Sequence, residues 1–175
     1  LLRYLNNDAA FPSVGIVYRR GEEIVAQEKA IVEDISRLPW PDYELIDFRP
    51  YFETASRKHS PNRAPDYPCV RVVTTRGCPF GCSFCQVETI STRHVRARDP
   101  EDVVNEFQFL KDKYGIKSII FDEDNILMAP DGYAKKLFTL MIKRKLNLKW
   151  VSINFALFLL TDEMLDLMKD SGCVG

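Results

Sequence analysis

Residues Val70 to Cys85, VRVVTTRGCPFGCSFC, join a β-branched segment directly to a group of three cysteines. The β-branched part, which extends to Thr75, predicts a strand because such residues favour extended backbone. Cys78, Cys82 and Cys85 then follow with the spacing C-x3-C-x2-C. Three thiolates on one tight loop can hold three corners of an iron–sulfur cubane, and they leave the fourth iron without a cysteine. The sequence therefore predicts a strand that leads into a metal-binding loop.

Two other interpretations of the cysteines stay open. A structural zinc site needs a fourth ligand, and the candidates Cys69 and His94 each lie nine residues outside the loop. A redox pair of Cys82 and Cys85 would leave the first cysteine of the loop without a role. Cys69 and Cys173 are predicted to be buried thiols, since free cysteine packs as a small hydrophobic residue.

Beyond the cysteine loop, helices and strands alternate. A helix is predicted between Asp99, which can cap it, and Gly115, which can end it. Strands are predicted at 116–121 and 148–155, helices follow at 131–145 and 161–171, and Cys173 begins a fourth strand. This order predicts an α/β fold, with a parallel sheet and its helices outside.

Polar residues follow the second and third of these strands. Asp122, Glu123 and Asp124 come after the second strand, and Asn154 lies near the end of the third. Ligands bind at the carboxyl ends of parallel strands, so we expect these residues and the cysteines to meet on one rim. The alternatives are a solvated acidic loop that caps the next helix, and an Asn154 that only satisfies backbone groups.

A basic cluster lies between the cysteine loop and the first helix. It could hold a carboxylate or a phosphate near the metal, and a solvated turn is the equally open alternative. The cluster consists of Arg93, His94, Arg96 and Arg98.

The amino-acid composition does not indicate a binding partner. The 24 basic and 25 acidic residues give a net charge of −1, so no global field attracts the chain to nucleic acid or anionic lipid. The longest apolar run, 150–160, is shorter than the ~20 residues of a membrane span. Five cysteines, three of them within eight residues, fit a metal site in a reducing cytoplasm better than a disulfide framework.

The cysteine loop after a β-strand resembles the signature of the radical S-adenosylmethionine (radical SAM) superfamily. The resemblance implies a 4Fe-4S cluster whose open iron binds the amino and carboxylate groups of S-adenosylmethionine. One electron from the reduced cluster then breaks a carbon–sulfur bond, giving methionine and a 5′-deoxyadenosyl radical. Phe84 matches the aromatic position near adenine. Glu123 and Asp124 stand where members of the superfamily place the motif that grips the methionyl amino group, although the usual form is Gly-Gly-Glu and this chain resembles the acidic variant of one subgroup. Asn154 is a further candidate cofactor contact.

The segments TTRGCPFGCSFC, IIFDEDNI and LMKDSGC are similar to one subgroup, in which a cobalamin-binding domain precedes the core. This similarity implies the tail of such a domain at 1–35, a proline-rich linker at 36–68 and the radical SAM core at 69–175. The core would be the N-terminal half of a partial TIM-like (β/α) barrel. Cobalamin is thus a possible cofactor, and methyl transfer does not follow from membership of the subgroup alone.

The resemblance also implies a reductant such as flavodoxin or ferredoxin, and a small-molecule substrate that the sequence does not identify. Alternative functions are a transfer RNA methylthiotransferase and a non-catalytic iron–sulfur or zinc protein. We expect the chain to be a piece of a longer protein and to be inactive alone. Its third strand should then be an exposed edge, and five apolar residues should be partly uncovered: Trp150, Ile153, Phe155, Leu157 and Phe158.

Overall fold

The computed structural model describes residues 14–45, 47, 50 and 66–175. The chain divides into two compact units between Glu33 and Asp34. The first unit contains an antiparallel hairpin whose strands pair from Val17 with Ala26 to Arg20 with Glu23. Most of the predicted linker, including 51–65, lies outside the described residues, as does 1–13. The predicted domain boundaries at 35/36 and 68/69 stay predictions.

The described residues contain seven short strands in three sheets. The strands are β1 Val17–Arg20, β2 Glu23–Ala26, β3 Cys69–Val72, β4 Thr75–Arg76, β5 Arg96–Ala97, β6 Ser118–Phe121 and β7 Lys149–Ser152. The central sheet has three parallel strands in the order β3-β6-β7, and two small antiparallel ribbons pair β1 with β2 and β4 with β5.

Four α-helices are described, and the three longer ones alternate with the parallel strands as predicted. The helices are α1 Val87–Ile90, α2 Pro100–Tyr114, α3 Tyr133–Lys143 and α4 Asp162–Ser171. None of the helices in the described ranges is long and apolar enough to cross a membrane.

The predicted helix ends are confirmed by capping contacts. A carboxylate oxygen of Asp99 accepts a hydrogen bond from the Glu101 N–H at the start of α2, and Gly115 ends that helix at φ 64°. Thr161 caps α4 in the same way, with its hydroxyl 3.2 Å from the Met164 nitrogen. Side-chain caps of this kind satisfy N–H groups that have no partner within the helix.

The core lies between the parallel sheet and the helices that cover it. Trp150 of β7 is fully buried, and its ring stacks on Phe138 of α3 with 4.7 Å between the ring centres. Phe121 of β6 meets the same indole edge to face at 5.3 Å. Leu110 of α2 and Met141 of α3 complete this layer. Aromatic residues of two neighbouring strands thus help to fix how the helices pack on the sheet.

All three strands predicted for the parallel sheet are shorter in the structure, and the one predicted at 116–121 begins at Ser118. The strand predicted at 70–75 ends at Val72, and Thr75 begins the ribbon that pairs with Ala97. The break arises because the Thr74 and Thr75 N–H groups donate to the Glu123 carboxylate instead of continuing the sheet ladder. The strand predicted at 148–155 ends at Ser152, so Asn154 lies in the loop beyond it.

The prediction of an exposed third edge was wrong for the described residues. The Trp150 N–H donates to the Gly172 carbonyl, and the Val174 N–H donates back to Trp150, both at 2.9 Å. The Ser152 N–H also donates to the Gly175 carbonyl, so the final residues cover β7 as a fourth strand would.

Individual predictions of exposure differ in outcome. Trp150 was expected to be partly uncovered and is buried, because Phe121, Phe138 and the segment after α4 enclose it. Leu157 and Phe158 are each 74% exposed, as expected. Within α4, Met168 and Ser171 are buried, whereas Leu165 is 47% exposed.

Candidate functional site

The carboxyl ends of the three parallel strands are level with one another. Val72, Phe121 and Ser152 are the last residues of their strands and occupy one row of the register. The loops that follow are joined by backbone hydrogen bonds, from Asp122 N–H to the Val72 carbonyl and from Ile153 N–H to the Phe121 carbonyl. This alignment gathers the cysteine loop, the acidic segment and Asn154 at one rim of the sheet.

The cysteine loop begins at a tightly packed glycine. Gly77 has φ 103°, and a Cβ on it would lie 2.2 Å from the His94 carbonyl oxygen. The next residue, Cys78, donates its N–H to the Thr92 carbonyl at 3.2 Å. A side chain at position 77 would therefore overlap backbone as well as strain its own φ. The start of the loop is fixed against the 92–94 segment.

Glu123 connects the acidic segment to the approach to this loop. Its Oε1 accepts hydrogen bonds from the Thr74 N–H at 2.6 Å and from the Thr74 hydroxyl at 2.7 Å. Its Oε2 accepts from the Thr75 N–H at 2.6 Å and from the Thr75 hydroxyl. The side chain is only 3% exposed. Burial raises the pKa of the Glu123 carboxyl, while the four donors act in the opposite direction.

Asp124 makes the next contact along the loop. Its Oδ2 accepts from the Gly77 N–H at 3.0 Å, one residue before the first cysteine. Asp122, by contrast, points to Arg71, with 3.0 Å between carboxylate and guanidinium. Asn154 donates from Nδ2 to the Glu123 carbonyl at 3.4 Å. The three predicted polar positions Glu123, Asp124 and Asn154 are thus brought together, although their partners are largely backbone groups.

The matching family model is that of the radical SAM superfamily, which aligns with residues 72–175. The chain belongs to the radical SAM superfamily. Members of this superfamily use a 4Fe-4S cluster and S-adenosylmethionine. Membership therefore confirms the two cofactors that were predicted from the sequence.

Characterised relatives of this radical SAM chain differ in the reactions that their names describe. The cytidylyl-2-hydroxyethylphosphonate methyltransferase of Streptomyces wedmorensis is 31% identical over 140 residues, which is 79% of this chain and 25% of the relative. An anaerobic magnesium-protoporphyrin IX monomethyl ester cyclase of Rubrivivax gelatinosus is 27% identical over 168 residues, 91% of this chain and 27% of the relative. The chain spans about a quarter of the length of these relatives.

A solved structure shares the fold. It is the radical S-adenosylmethionine methyltransferase TsrM of Kitasatospora setae with cobalamin and a 4Fe-4S cluster bound. The TM-score is 0.50 at 19% identity, over 60% of this chain and 19% of that one. The parallel α/β arrangement is therefore that of a radical SAM enzyme, as the sequence predicted.

The donor set of this radical SAM chain fits a cluster held by three cysteines. Cys82 and Cys85 are exposed and Cys78 is half-buried on the rim loop. Cys69 is buried at the amino end of β3, beside Ser118, and burial raises the pKa of its thiol. Cys173 is half-buried and forms a β-bridge with Trp150, which lies two residues before the carboxyl end of β7. The two remaining cysteines thus lie away from the rim.

The three loop thiols are close in sequence, but their side chains are not arranged as metal ligands in the structure. Among the described residues, no group of three or more His, Cys, Asp or Glu side chains has the arrangement of a metal site. A hydrogen bond from the Cys85 N–H to the Cys82 carbonyl, at 3.0 Å, sets a turn between the last two cysteines. The assignment of Cys78, Cys82 and Cys85 as ligands therefore stays a prediction.

Two aromatic residues of the loop face solvent in different surroundings. Phe84, the predicted adenine neighbour, is 86% exposed. Phe80 packs edge to face on Phe158, from the loop after β7, with 5.7 Å between ring centres. Neither this pair nor the role of Thr74 and Thr75 was predicted from the sequence. Two neighbouring hydroxyl side chains at the end of the β-branched run were the available signal for the latter.

Each arginine of the basic cluster already has a partner within the protein. Arg93 pairs with Glu88 at 2.7 Å, and Arg96 is buried and donates to the Ser91 carbonyl. Arg98 binds Asp102 and Glu106, and its own pKa is raised by those carboxylates, against the opposing effect of burial. These guanidinium groups hold the loop and α2 in place.

Proposed function

We propose that Cys78, Cys82 and Cys85 bind three irons of a 4Fe-4S cluster whose fourth iron binds S-adenosylmethionine. The observation that carries this proposal is the separation of the five cysteines. Three lie together on the rim loop with accessible thiols, and Cys69 and Cys173 lie further back along the sheet. A set of three thiolates leaves one iron free for a cofactor.

When bound, the cluster supplies the electron that cleaves S-adenosylmethionine reductively. The protein's part is to hold and orient the cofactor at the rim. Asp124 is half-buried, and one of its carboxylate oxygens accepts a hydrogen bond from the Gly77 N–H. Its other carboxylate oxygen can accept a hydrogen bond from the methionyl ammonium. Asn154 and Phe84 lie on the same rim loops and are proposed to contact the cofactor, with Phe84 beside adenine. Both carboxylate oxygens of Glu123 are already engaged by Thr74 and Thr75.

We propose that the complete protein transfers a methyl group with the help of cobalamin. The name of the Streptomyces relative and the cobalamin in the TsrM structure support this choice. The proposed electron donor is a flavodoxin or ferredoxin, and the proposed compartment is the reducing cytoplasm, which suits free thiols and an iron–sulfur cluster. The substrate is a small molecule of unassigned class.

The test uses the complete natural protein, reconstituted anaerobically with iron and sulfide. Adding S-adenosylmethionine should change the electron paramagnetic resonance spectrum of the reduced cluster, and the reaction should release 5′-deoxyadenosine. S-adenosylhomocysteine formed in the presence of cobalamin would support methyl transfer. A protein that binds zinc in place of iron, or an unchanged spectrum, would contradict the proposal. Transfer of sulfur together with the methyl group would favour a methylthiotransferase.

A further inference from the structure

We propose that Glu123 is a positioning residue that holds the approach to the cysteine loop, and that it is not a ligand of S-adenosylmethionine. Glu123 and its partners Thr74 and Thr75 are called the carboxylate clamp below. The inference rests on the proposed function in one respect, since it concerns the loop that is proposed to bind the cluster.

Both carboxylate oxygens of Glu123 are fully used by hydrogen bonds within the protein. Four donors of Thr74 and Thr75, two backbone and two hydroxyl, converge on the two carboxylate oxygens. A carboxylate in this state has little capacity left for an ammonium group. The side chain is also 3% exposed, so a cofactor on the rim surface cannot reach it without displacing the loop.

The carboxylate clamp fixes the backbone between the end of β3 and the first cysteine. Strand β3 ends at Val72, and the clamp takes up the next N–H groups, at Thr74 and Thr75. Asp124 continues the series with the Gly77 N–H. Successive side chains of the loop after β6 therefore bind the backbone that leads to Cys78. The pairing of β3 with β6 thus determines where the backbone places Cys78.

The other side of the same backbone is also held. The Arg98 N–H donates to the Thr74 carbonyl at 2.9 Å, and Gly77 packs directly against the His94 carbonyl. Cys82 and Cys85 have no comparable enclosure and are exposed. Fixing the entry to the loop lowers the conformational freedom that must be lost when the cysteines gather around a metal.

The test compares the variants Glu123→Gln and Thr75→Val, alone and together, in the complete natural protein. In Glu123→Gln, the NH₂ group of the glutamine amide would point at the N–H and O–H donors of Thr74 and Thr75, from which it cannot accept a hydrogen bond. In Thr75→Val, one donating hydroxyl is removed while the shape of the side chain stays nearly the same. Thr75→Ser keeps the hydroxyl and should restore wild-type behaviour. Asp122→Asn is the matched control, because Asp122 belongs to the same acidic segment but points to Arg71.

The first measurement needs no metal. In the metal-free protein, hydrogen–deuterium exchange should become about tenfold faster in the 74–85 segment of Glu123→Gln and Thr75→Val. Exchange in α2 should stay at its wild-type rate, which separates a local effect from general unfolding. Wild-type exchange of the 74–85 segment in both variants would overturn the clamp, whether or not the protein binds a cluster.

The second measurement is the rate at which a chelator removes iron from the reconstituted protein. We expect both single variants to lose the cluster about tenfold faster, the double variant to be no worse than Glu123→Gln, and the remaining clusters to bind S-adenosylmethionine with wild-type affinity. Loss of cofactor affinity in Glu123→Gln with wild-type cluster retention would overturn the proposal and make Glu123 a ligand. A wild-type protein that binds no iron would instead reject the proposed function, and the exchange measurement would still decide on the clamp.

Discussion

The carbonyl oxygen of His94 occupies the space that a Cβ on Gly77 would need, at 2.2 Å from the ideal position. Because Gly77 directly precedes Cys78, this contact couples the 92–94 segment to the cysteine loop. Only glycine satisfies both the close approach and the positive φ at this point.

Gly77→Ala should therefore destabilise the fold and impair assembly of the cluster. We expect a loss of about 2 kcal/mol or more in the free energy of unfolding, since backbone overlap adds to the cost of positive φ. Gly115→Ala is the control: its φ is 64°, but no atom lies within 4 Å of the added Cβ. That variant should lose only about 1 kcal/mol. Urea unfolding measures both, and equal losses would contradict the close contact with His94.

A second prediction concerns the buried hydrogen bond between Tyr43 and Glu106. The Tyr43 hydroxyl donates to Oε1 of Glu106 at 2.5 Å, and Glu106 is 1% exposed. Burial and the neighbouring carboxylate raise the pKa of Tyr43, which keeps the phenol neutral. Tyr43→Phe should cost about 1–3 kcal/mol, because one oxygen of a buried carboxylate loses its donor.

The control for this prediction is Tyr114→Phe. The Tyr114 hydroxyl donates to the Tyr43 carbonyl at 2.8 Å from a half-buried position, so water can replace part of that bond. Tyr114→Phe should therefore lower the free energy of unfolding by less than Tyr43→Phe does in the same urea titration. The opposite order would show that the Tyr43–Glu106 contact does not hold the 34–45 segment on α2.

A third prediction concerns the order in which thiols react. The thiolate is the reactive form, and burial raises the pKa of Cys69, so its reactive fraction at neutral pH is small. The neutral Cys69 thiol stabilises the fold below the ordinary pKa of cysteine, and this contribution is lost as the pH rises through the raised value. In metal-free protein, iodoacetamide should label the exposed Cys82 and Cys85 first, and Cys69 only at alkaline pH. Peptide mass spectrometry would contradict this if Cys69 reacted equally fast at neutral pH.

The sequence predicted those parts of the fold that depend on local rules. Asp99 and Gly115 mark the ends of α2 because capping depends on a few neighbouring atoms. The convergence of the three strand ends followed from the strand–helix order. What local rules could not give was the end of β3 at Val72, because the break depends on Glu123, about fifty residues away in the chain.

The same limit applies to the site. The acidic segment was recognised, but its three carboxylates have three different partners: Arg71, the Thr74–Thr75 pair and Gly77. Identical chemistry in neighbouring positions gives no way to separate them in sequence. Arg98 of the basic cluster is a related case, since its carboxylate partners lie on α2. Tertiary contacts decide the partners of these charged side chains, and the sequence does not show them.

The central claim, a cluster on three cysteines with one open iron, is tested most directly by counting iron in five single Cys→Ala variants of the complete natural protein. After anaerobic reconstitution, variants at Cys69 and Cys173 should retain about four irons per chain, as wild type does. Variants at Cys78, Cys82 and Cys85 should each lose most of their iron while far-UV circular dichroism stays unchanged. A folded variant at Cys69 or Cys173 that also failed to bind iron would contradict the account, because it would supply the fourth thiolate.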